Sequence, residues 1–537
     1  MESRLARNHR FIGIVLILAV SVAFTAIQVR HSLVAGRLAD PPTWDDVAYL
    51  DDAAIRLHEL HTWAFADFLT RLVNDPPHSL YSAAMATVGF CLLGVHDWVP
   101  YAMNGVWLVV LLGSISSLVR RAAGWQWILL FVFVLTVPLA AILITEYRPD
   151  PAWGVSAAMA VFSVLRWRWV GSSRWHQIGT GLWFTAALMC KTSTFPLTLL
   201  TVGTAWLLAL ICDRAEHREA FTVRRFAATL FWASLPVLII AMPYYVFERK
   251  FIFGYVYQTL LGPDRNHWIV RGTWLDRARY FLDGGGRVML RNHFYLLILI
   301  IVVGGPGWIR NNLLRRDCIA VNRLRRGSCI AAITFIAYLV PAVNPTKNPF
   351  FGAEFEFLCL LSAVALIDAL IESPNRFARL LGNGLLIATS LTGLACVRFP
   401  APVGAAREPD TTRLVRLIIS TVQVNSSAEP KVYLAVVGGR LNTSTLDYVS
   451  RQSGRAIVFS QPAYNATLTQ VVENLDQYDF IVAGQTGAAD LINAWPLDRL
   501  ADQSLASIRA DPRFVLAAQL DTSNKKRLLI FRHVRRL

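Results

Sequence analysis

The segment MESRLARNHRFIGIVLILAVSVAFTAIQV, residues 1–29, sets Arg4, Arg7 and Arg10 ahead of an apolar run. A secretory signal peptide and a first membrane span both take this form. The run lacks a convincing small-x-small cleavage site, so it reads as an uncleaved span at about 11–29. Its basic flank places the N-terminus inside. Apolar runs recur as far as residue 397. Of the 537 residues, 55% are hydrophobic and 16% charged, against roughly 25% charged in an ordinary soluble domain. The chain therefore reads as a polytopic α-helical membrane protein. The net charge of +16 is not a nucleic-acid footprint, because the Lys and Arg cluster in short segments between spans. Arg greatly outnumbers Lys, which hints at a GC-rich bacterial gene and so at a bacterial inner membrane. The seven cysteines form neither a disulfide framework nor a CxxC metal pattern.

Basic clusters at Arg120/Arg121 and in 166–177, 213–225, 310–326 and 376–381 mark the cytoplasmic side. Between them the expected spans are roughly 98–118, 124–146, 151–166, 177–193, 195–212, 226–246, 292–309, 328–343, 350–371 and 379–397, about eleven with the first. Alternation of sides then holds only if SLYSAAMATVGFCLLGV, residues 79–95, does not cross the bilayer once. It is short for a span and is joined to the next by three residues only.

Two regions are expected outside. The first outer loop, 30–97, belongs to a transmembrane domain of residues 1–397. In it Val47, Leu50, Ala54, Leu57, Leu60, Ala64, Phe68 and Leu72 recur at helical spacing, with Asp51, Asp52, Arg56, Glu59 and Asp67 largely off that stripe. This predicts one or two amphipathic helices on the membrane surface, with Trp44 and Trp63 at headgroup level. The second is the tail, 398–537. There KVYLAVVGG (431–439), RAIVFSQ (455–461), YDFIVAG (478–484), RFVLAAQL (513–520) and KRLLIFRHV (526–534) read as strands separated by helical patterns. The tail is expected to be a small extracytoplasmic α/β domain. Its two glycines, Gly438 and Gly439, are not a GxGxxG fingerprint.

Charged residues from distant segments gather near the expected outer face. Asp45 and Asp46 follow the first span; Asp75 and His78 lie in NDPPH; Glu146, Arg148 and Asp150 lie in EYRPDP. Lys191 stands at a helix end, Arg249, Lys250, Arg265, His267 and Arg271 follow Glu248, and Lys347 lies in NPTKNPF. The span interiors read as nearly free of charge. Carboxylates beside a bilayer are costly unless solvated, paired or used.

These segments resemble a known family. WDDVAYLDDA (44–53), NDPPHSLYSAAMATVGFCLLGVHDW (74–98), YRPDPAWGVSAAMAVF (147–162) and AALMCKTSTFPLTLL (186–200) are similar, in order and approximate spacing, to four motifs of the GT-C glycosyltransferases. These are polyprenyl-phosphate-sugar-dependent enzymes related to protein O-mannosyltransferases and to the aminoarabinose transferase of lipid A. The match covers residues 1–210; the rest fits by topology. Asp46 replaces the more usual Glu, Asp75 stands where a Lys or His often precedes the prolines, and Thr192 replaces a Gly. The resemblance implies a membrane enzyme acting on a lipid-linked donor, with a lipid, glycan or protein acceptor.

Chemistry supports that reading independently. An acceptor hydroxyl or amine must lose a proton as it attacks, and one carboxylate serves as general base. No general acid is needed, because phosphate leaves as a stable anion. Asp45 is the expected base. Asp46 points elsewhere, since neighbouring residues diverge on a helix, and is expected to cap the helix or to bind Arg or a metal. Asp150 is expected to cap a helix or to position the acceptor or a phosphate-bound cation. Lys191 is expected at the substrate phosphate, together with Arg148; Arg249, Lys250 and Lys347 bind either that phosphate or lipid headgroups. No cofactor is called for beyond, at most, a divalent metal ion. The rival readings are a transporter, which needs polar residues or broken helices at mid-membrane, and a sensor or assembly protein with an outer domain.

Overall fold

The computed structural model describes the chain apart from residues 1, 40–41, 43–44, 74–79, 119–123, 167, 219–220, 263–271, 283–289, 291–293, 296, 299–300, 302–317, 346, 374, 398–409, 424–428, 439–440, 453–456, 464–465, 489–495, 523–524 and 535–537. The chain divides into two compact units. A membrane unit comprises Met1–Val29, Arg56–Gly94 and Val99–Phe399; a tail unit comprises Arg30–Ile55, Val95–Trp98 and Pro400–Leu537.

Six helices among the described residues are long and apolar enough to cross a membrane: Ile12–Val34, Trp98–Ser117, Thr192–Glu216, Val223–Phe247, Phe350–Ile371 and Arg376–Ala395. A seventh crossing arises if Gly124–Thr136 and Pro138–Thr145, bent by 55°, count as one. The protein is thus a multi-pass membrane protein, with six or seven such spans against the eleven or so expected. The shortfall has a physical basis. The expected spans 151–166 and 177–193 are helices of 17 residues each, Pro149–Leu165 and Arg174–Cys190, short of the ~20 residues a lipid-facing crossing requires. Pro149–Leu165 is buried along almost its whole length, so protein rather than lipid sets how long it must be. The expected span 328–343 is the apolar part, Cys329–Val343, of the helix Cys318–Val343, and the stretch 79–95 appears as Leu80–Leu93. The expected span 292–309 lies mostly outside the described residues.

Close helix contacts depend on small residues. A Cβ on Gly154 would come within 2.8 Å of the Ala353 Cβ and 2.9 Å of Phe357, and one on Gly181 within 2.0 Å of the Ala233 carbonyl oxygen. Pro149–Leu165 therefore meets Ala353–Ile371 backbone to backbone at Gly154. Arg174–Cys190 meets Val223–Pro236 in the same way at Gly181.

The acidic helix Asp45–His61 and the short helix Phe65–Val73 occupy the region expected to be amphipathic. The buried face is wider than the apolar stripe predicts. Arg56 and Glu59, expected off it, are 1% and 7% exposed. They are accommodated by pairing: Glu59 accepts from Arg71 Nε at 2.9 Å, and Arg56 donates to the Arg71 carbonyl. Leu69 and Trp63 remain exposed.

A buried charge cluster locks the basic turn between Pro149–Leu165 and Arg174–Cys190. Asp213 accepts from the backbone N–H groups of Trp169 (2.9 Å) and Val170 (2.6 Å) and from Arg326 Nη2 at 2.5 Å; Arg326 also reaches Glu216 at 2.8 Å. Breaking a buried pair by removing one partner strands the other charge and costs about 3–5 kcal/mol. Arg326→Ala should lower the thermal unfolding midpoint of the detergent-solubilised protein markedly. A midpoint unchanged within error contradicts this account of the turn.

In the tail unit, β1 (Lys431–Leu434), β2 (Val458–Ser460), β3 (Phe480–Gly484), β4 (Phe514–Asp521) and β5 (Arg527–His533) form one sheet in the order β2-β1-β3-β5-β4. The β1–β2 and β1–β3 pairs are parallel, with helices in the crossovers, while β5 runs antiparallel to both β3 and β4. Four of the five strands lie inside a segment read as a strand, and β4 runs one residue beyond its segment, to Asp521. Val432, Leu434, Ile481, Val482 and Ile530 fill the core with Leu446, Val471, Leu505 and Ile508 from the helices.

Candidate functional site

Within the tail unit, Asp45 and Asp46 open the helix Asp45–His61, where the positive end of the helix dipole favours carboxylates. Adjacent residues on a helix diverge, and these two do: Asp45 is exposed, while Asp46 is fully buried. Asp46 pairs with Arg37 Nε at 2.7 Å. Arg37 sits on a 3-10 turn, Arg37–Ala39, where the Ser32 hydroxyl accepts from the Leu38 N–H. Asp46 is thus held inward by an arginine, one of the roles its position suggested. Asp45 presents its carboxylate to solvent.

Within the membrane unit a second constellation forms around the corner 146–150. Arg148 is the extended residue preceding Pro149–Leu165, and Asp150 lies in that helix's first turn. Lys191 ends the helix Arg174–Cys190 in an extended conformation. Its ammonium is ion-paired with Asp150, both side chains being largely buried. The same ammonium lies 4.9 Å from the Phe351 ring centroid, and the Arg148 guanidinium lies 4.8 Å from that of Phe350. Arg148 also faces Glu146, Nε to Oε2 3.5 Å. The corner is fixed by its neighbours. The Tyr147 hydroxyl donates to the Ser82 carbonyl, and Trp153 Nε1 donates to the Thr198 hydroxyl at 2.8 Å. Three sequence-distant segments, 146–150, 191 and 350–351, therefore present two cations on aromatic faces.

The other candidates lie differently. Lys347 is 3% exposed and donates to the carbonyls of Pro341 (2.5 Å) and Ala342 (2.8 Å), capping the end of the helix Cys318–Val343. Burial, then the nearby Arg277 charge, pushes its ammonium down to about 8. Arg249 is exposed and donates to the Val246 carbonyl at 3.0 Å; Lys250 is exposed beside it. The preceding Glu248 is buried, and burial raises its carboxyl above the usual range. Trp44, Asp75, His78, Arg265, His267 and Arg271 lie outside the described residues. Among those described, no group of three or more His, Cys, Asp or Glu converges to hold a metal ion.

Two acidic residues escaped the sequence reading. Glu354 and Glu356 are fully buried in the first turn of Ala353–Ile371, so the expectation that span interiors are nearly free of charge is corrected. The signal was available in FFGAEFEFLCLL (350–361), because ionisable residues inside a span mark function or pairing. Aromatic Phe350 and Phe351 were missed too, since nothing in sequence says which cation a ring will meet.

The structure is similar to ArnT from Cupriavidus metallidurans in the apo state, with a TM-score of 0.56 at 13% identity, covering 96% of this chain and 97% of that one. The chain has the ArnT fold. ArnT is a GT-C membrane glycosyltransferase. The same ArnT bound to undecaprenyl phosphate matches with a TM-score of 0.57 at 13% identity over the same shares of both chains. No protein-family model matches the chain, and no curated protein matches it by sequence. ArnT likeness over almost the full length means that the tail sheet, as well as the helices, has its counterpart in that fold.

Proposed function

We propose that this protein is a glycosyltransferase that moves a sugar, with inversion, from a polyprenyl-phosphate-linked donor to a lipid, glycan or protein acceptor. The observation that carries the reading is the full-length likeness to an ArnT that binds undecaprenyl phosphate. The free presentation of Asp45 beside a tethered Asp46 suits a general base. Asp45 accepts the acceptor's proton as its oxygen or nitrogen attacks the anomeric carbon. The sugar–phosphate bond breaks and polyprenyl phosphate leaves as the anion. Lys191 and Arg148 stabilise charge building on that phosphate, and Asp150 holds the Lys191 ammonium in position until the phosphate arrives.

The basic segments support a reading in which the chemistry lies on the outer face of a cell membrane, with the N-terminus cytoplasmic and the tail extracytoplasmic. Ser420 is exposed on the tail helix Asp410–Gln423, and Val223 is exposed at the start of the span that follows the basic segment 213–225. Cysteines placed there on a cysteine-free background should differ in intact cells. An impermeant thiol reagent should label position 420 and spare 223. The reverse pattern turns the topology over.

Glu354 and Glu356, buried in a span, and the 55° break between Gly124–Thr136 and Pro138–Thr145 are features that favour a transporter instead. Lipid and glycan profiling of cells lacking the protein separates the readings. Transfer predicts loss of a sugar-modified lipid or glycan, with its unmodified form accumulating. A profile with every modification intact overturns it.

A further inference from the structure

Within the tail unit, the helix Thr443–Gln452 holds segments of the first outer loop, among them the start of the acidic helix. Its Leu446, and Leu441 just before it, enter the sheet core, with Val449 packed against it. Residues at three- and four-residue spacing share another helix face, and here they reach out to the segments from the first loop. The Thr445 hydroxyl donates to the Pro42 carbonyl at 3.1 Å, in a buried setting. The Tyr448 hydroxyl donates to Asp97 Oδ1 at 2.5 Å, and Gln452 Nε2 donates to the same oxygen at 2.8 Å. Arg451 Nη1 pairs with Asp51 Oδ1 at 2.6 Å. Asp45 lies between two of these anchor points, the carbonyl three residues before it and the carboxylate six residues, or about 9 Å of helix, after it. Arg37 holds the neighbouring Asp46.

We infer that the tail domain is the mount of the proposed base: Thr445, Tyr448 and Arg451 are positioning residues that fix the first turns of the acidic helix and so aim Asp45. This rests on the reading of Asp45 as base. A loosened carboxylate still ionises, and the donor still binds, but the proton acceptor is no longer held within the few tenths of an ångström that proton transfer needs. The tail is then part of the catalytic apparatus without touching substrate.

The test uses the full chain in lipid nanodiscs with a polyprenyl-phosphate sugar donor, rates being normalised to folded protein. Arg451→Asp sets two carboxylates against each other; Asp51→Arg combined with Arg451→Asp restores the pair in reverse. The reversal should lower kcat about tenfold or more with donor KM unchanged, and the double swap should recover most of it. Tyr448→Phe, which removes one hydroxyl only, should lower kcat in the same way to a smaller extent. Unchanged kcat in both Arg451→Asp and Tyr448→Phe overturns the proposal, as does a loss that the double swap leaves untouched. Asp45→Asn measured alongside separates the two ideas. Full activity there removes the base assignment, whereas activity indifferent to the 51–451 pair removes the mount.

Discussion

Asp45→Asn should reduce sugar transfer by about 10²–10⁴-fold, the usual contribution of a positioned general base, while donor binding and protein yield stay near wild type. Asparagine keeps the size and hydrogen-bonding reach of the side chain but cannot take the acceptor's proton. Asp45 is exposed on the first turn of its helix, so the change strands no buried partner and stability is not at stake. Asp46→Asn is the informative contrast. That carboxylate is buried against Arg37 at 2.7 Å, and its loss should show first in folded yield and thermal stability. Steady-state transfer rates of both variants check the assignment. Asp45→Asn within twofold of wild type removes it.

Lys191→Ala should lower kcat/KM for the donor by about 2–5 kcal/mol of lost stabilisation, the range measured when one member of a buried, hydrogen-bonded charge pair is truncated. Two effects add. The phosphate loses a cation, and Asp150, 4% exposed, is left as an unpaired buried acid. Asp150→Asn combined with Lys191→Ala removes the second effect, so the difference between single and double variants isolates the first. Acceptor KM should move little in either. Donor KM and kcat both unchanged in the single variant would mean that Lys191 serves only as a structural partner of Asp150.

Much of this architecture can be read from one-dimensional patterns. The strands of the tail announce themselves by short runs of β-branched and aromatic residues, and each lies where those runs fall. The divergence of Asp45 and Asp46 follows from helix geometry alone. Span counting was less secure because hydropathy assumes lipid on every side. Pro149–Leu165 is wrapped in protein and so escapes the length rule. Arg56 and Glu59 were assigned to the outward face because a charge normally seeks water. Their burial depends on Arg71, a partner fifteen residues after the first of them, which no local pattern reveals. The same holds for Asp150 with Lys191 and for Asp46 with Arg37. Asp46, Asp150 and Lys191 are visible as candidates; which residue each pairs with is not. Charge alone puts Lys347 among the cations for the substrate phosphate or lipid headgroups, whereas in the fold it spends two donors on helix-end carbonyls.

The proposed reaction is transfer from a polyprenyl phosphate with inversion. The measurement that reaches it most directly is a single turnover of purified protein on an anomerically pure, isotopically labelled polyprenyl-phosphate sugar. Release of polyprenyl phosphate and the anomeric configuration of the product are followed by NMR. One phosphate released per sugar transferred, inverted configuration, and neither event with Asp45→Asn are the expected results. Retained configuration, or wild-type protein that binds the donor and releases no phosphate in the presence of membrane acceptors, contradicts it.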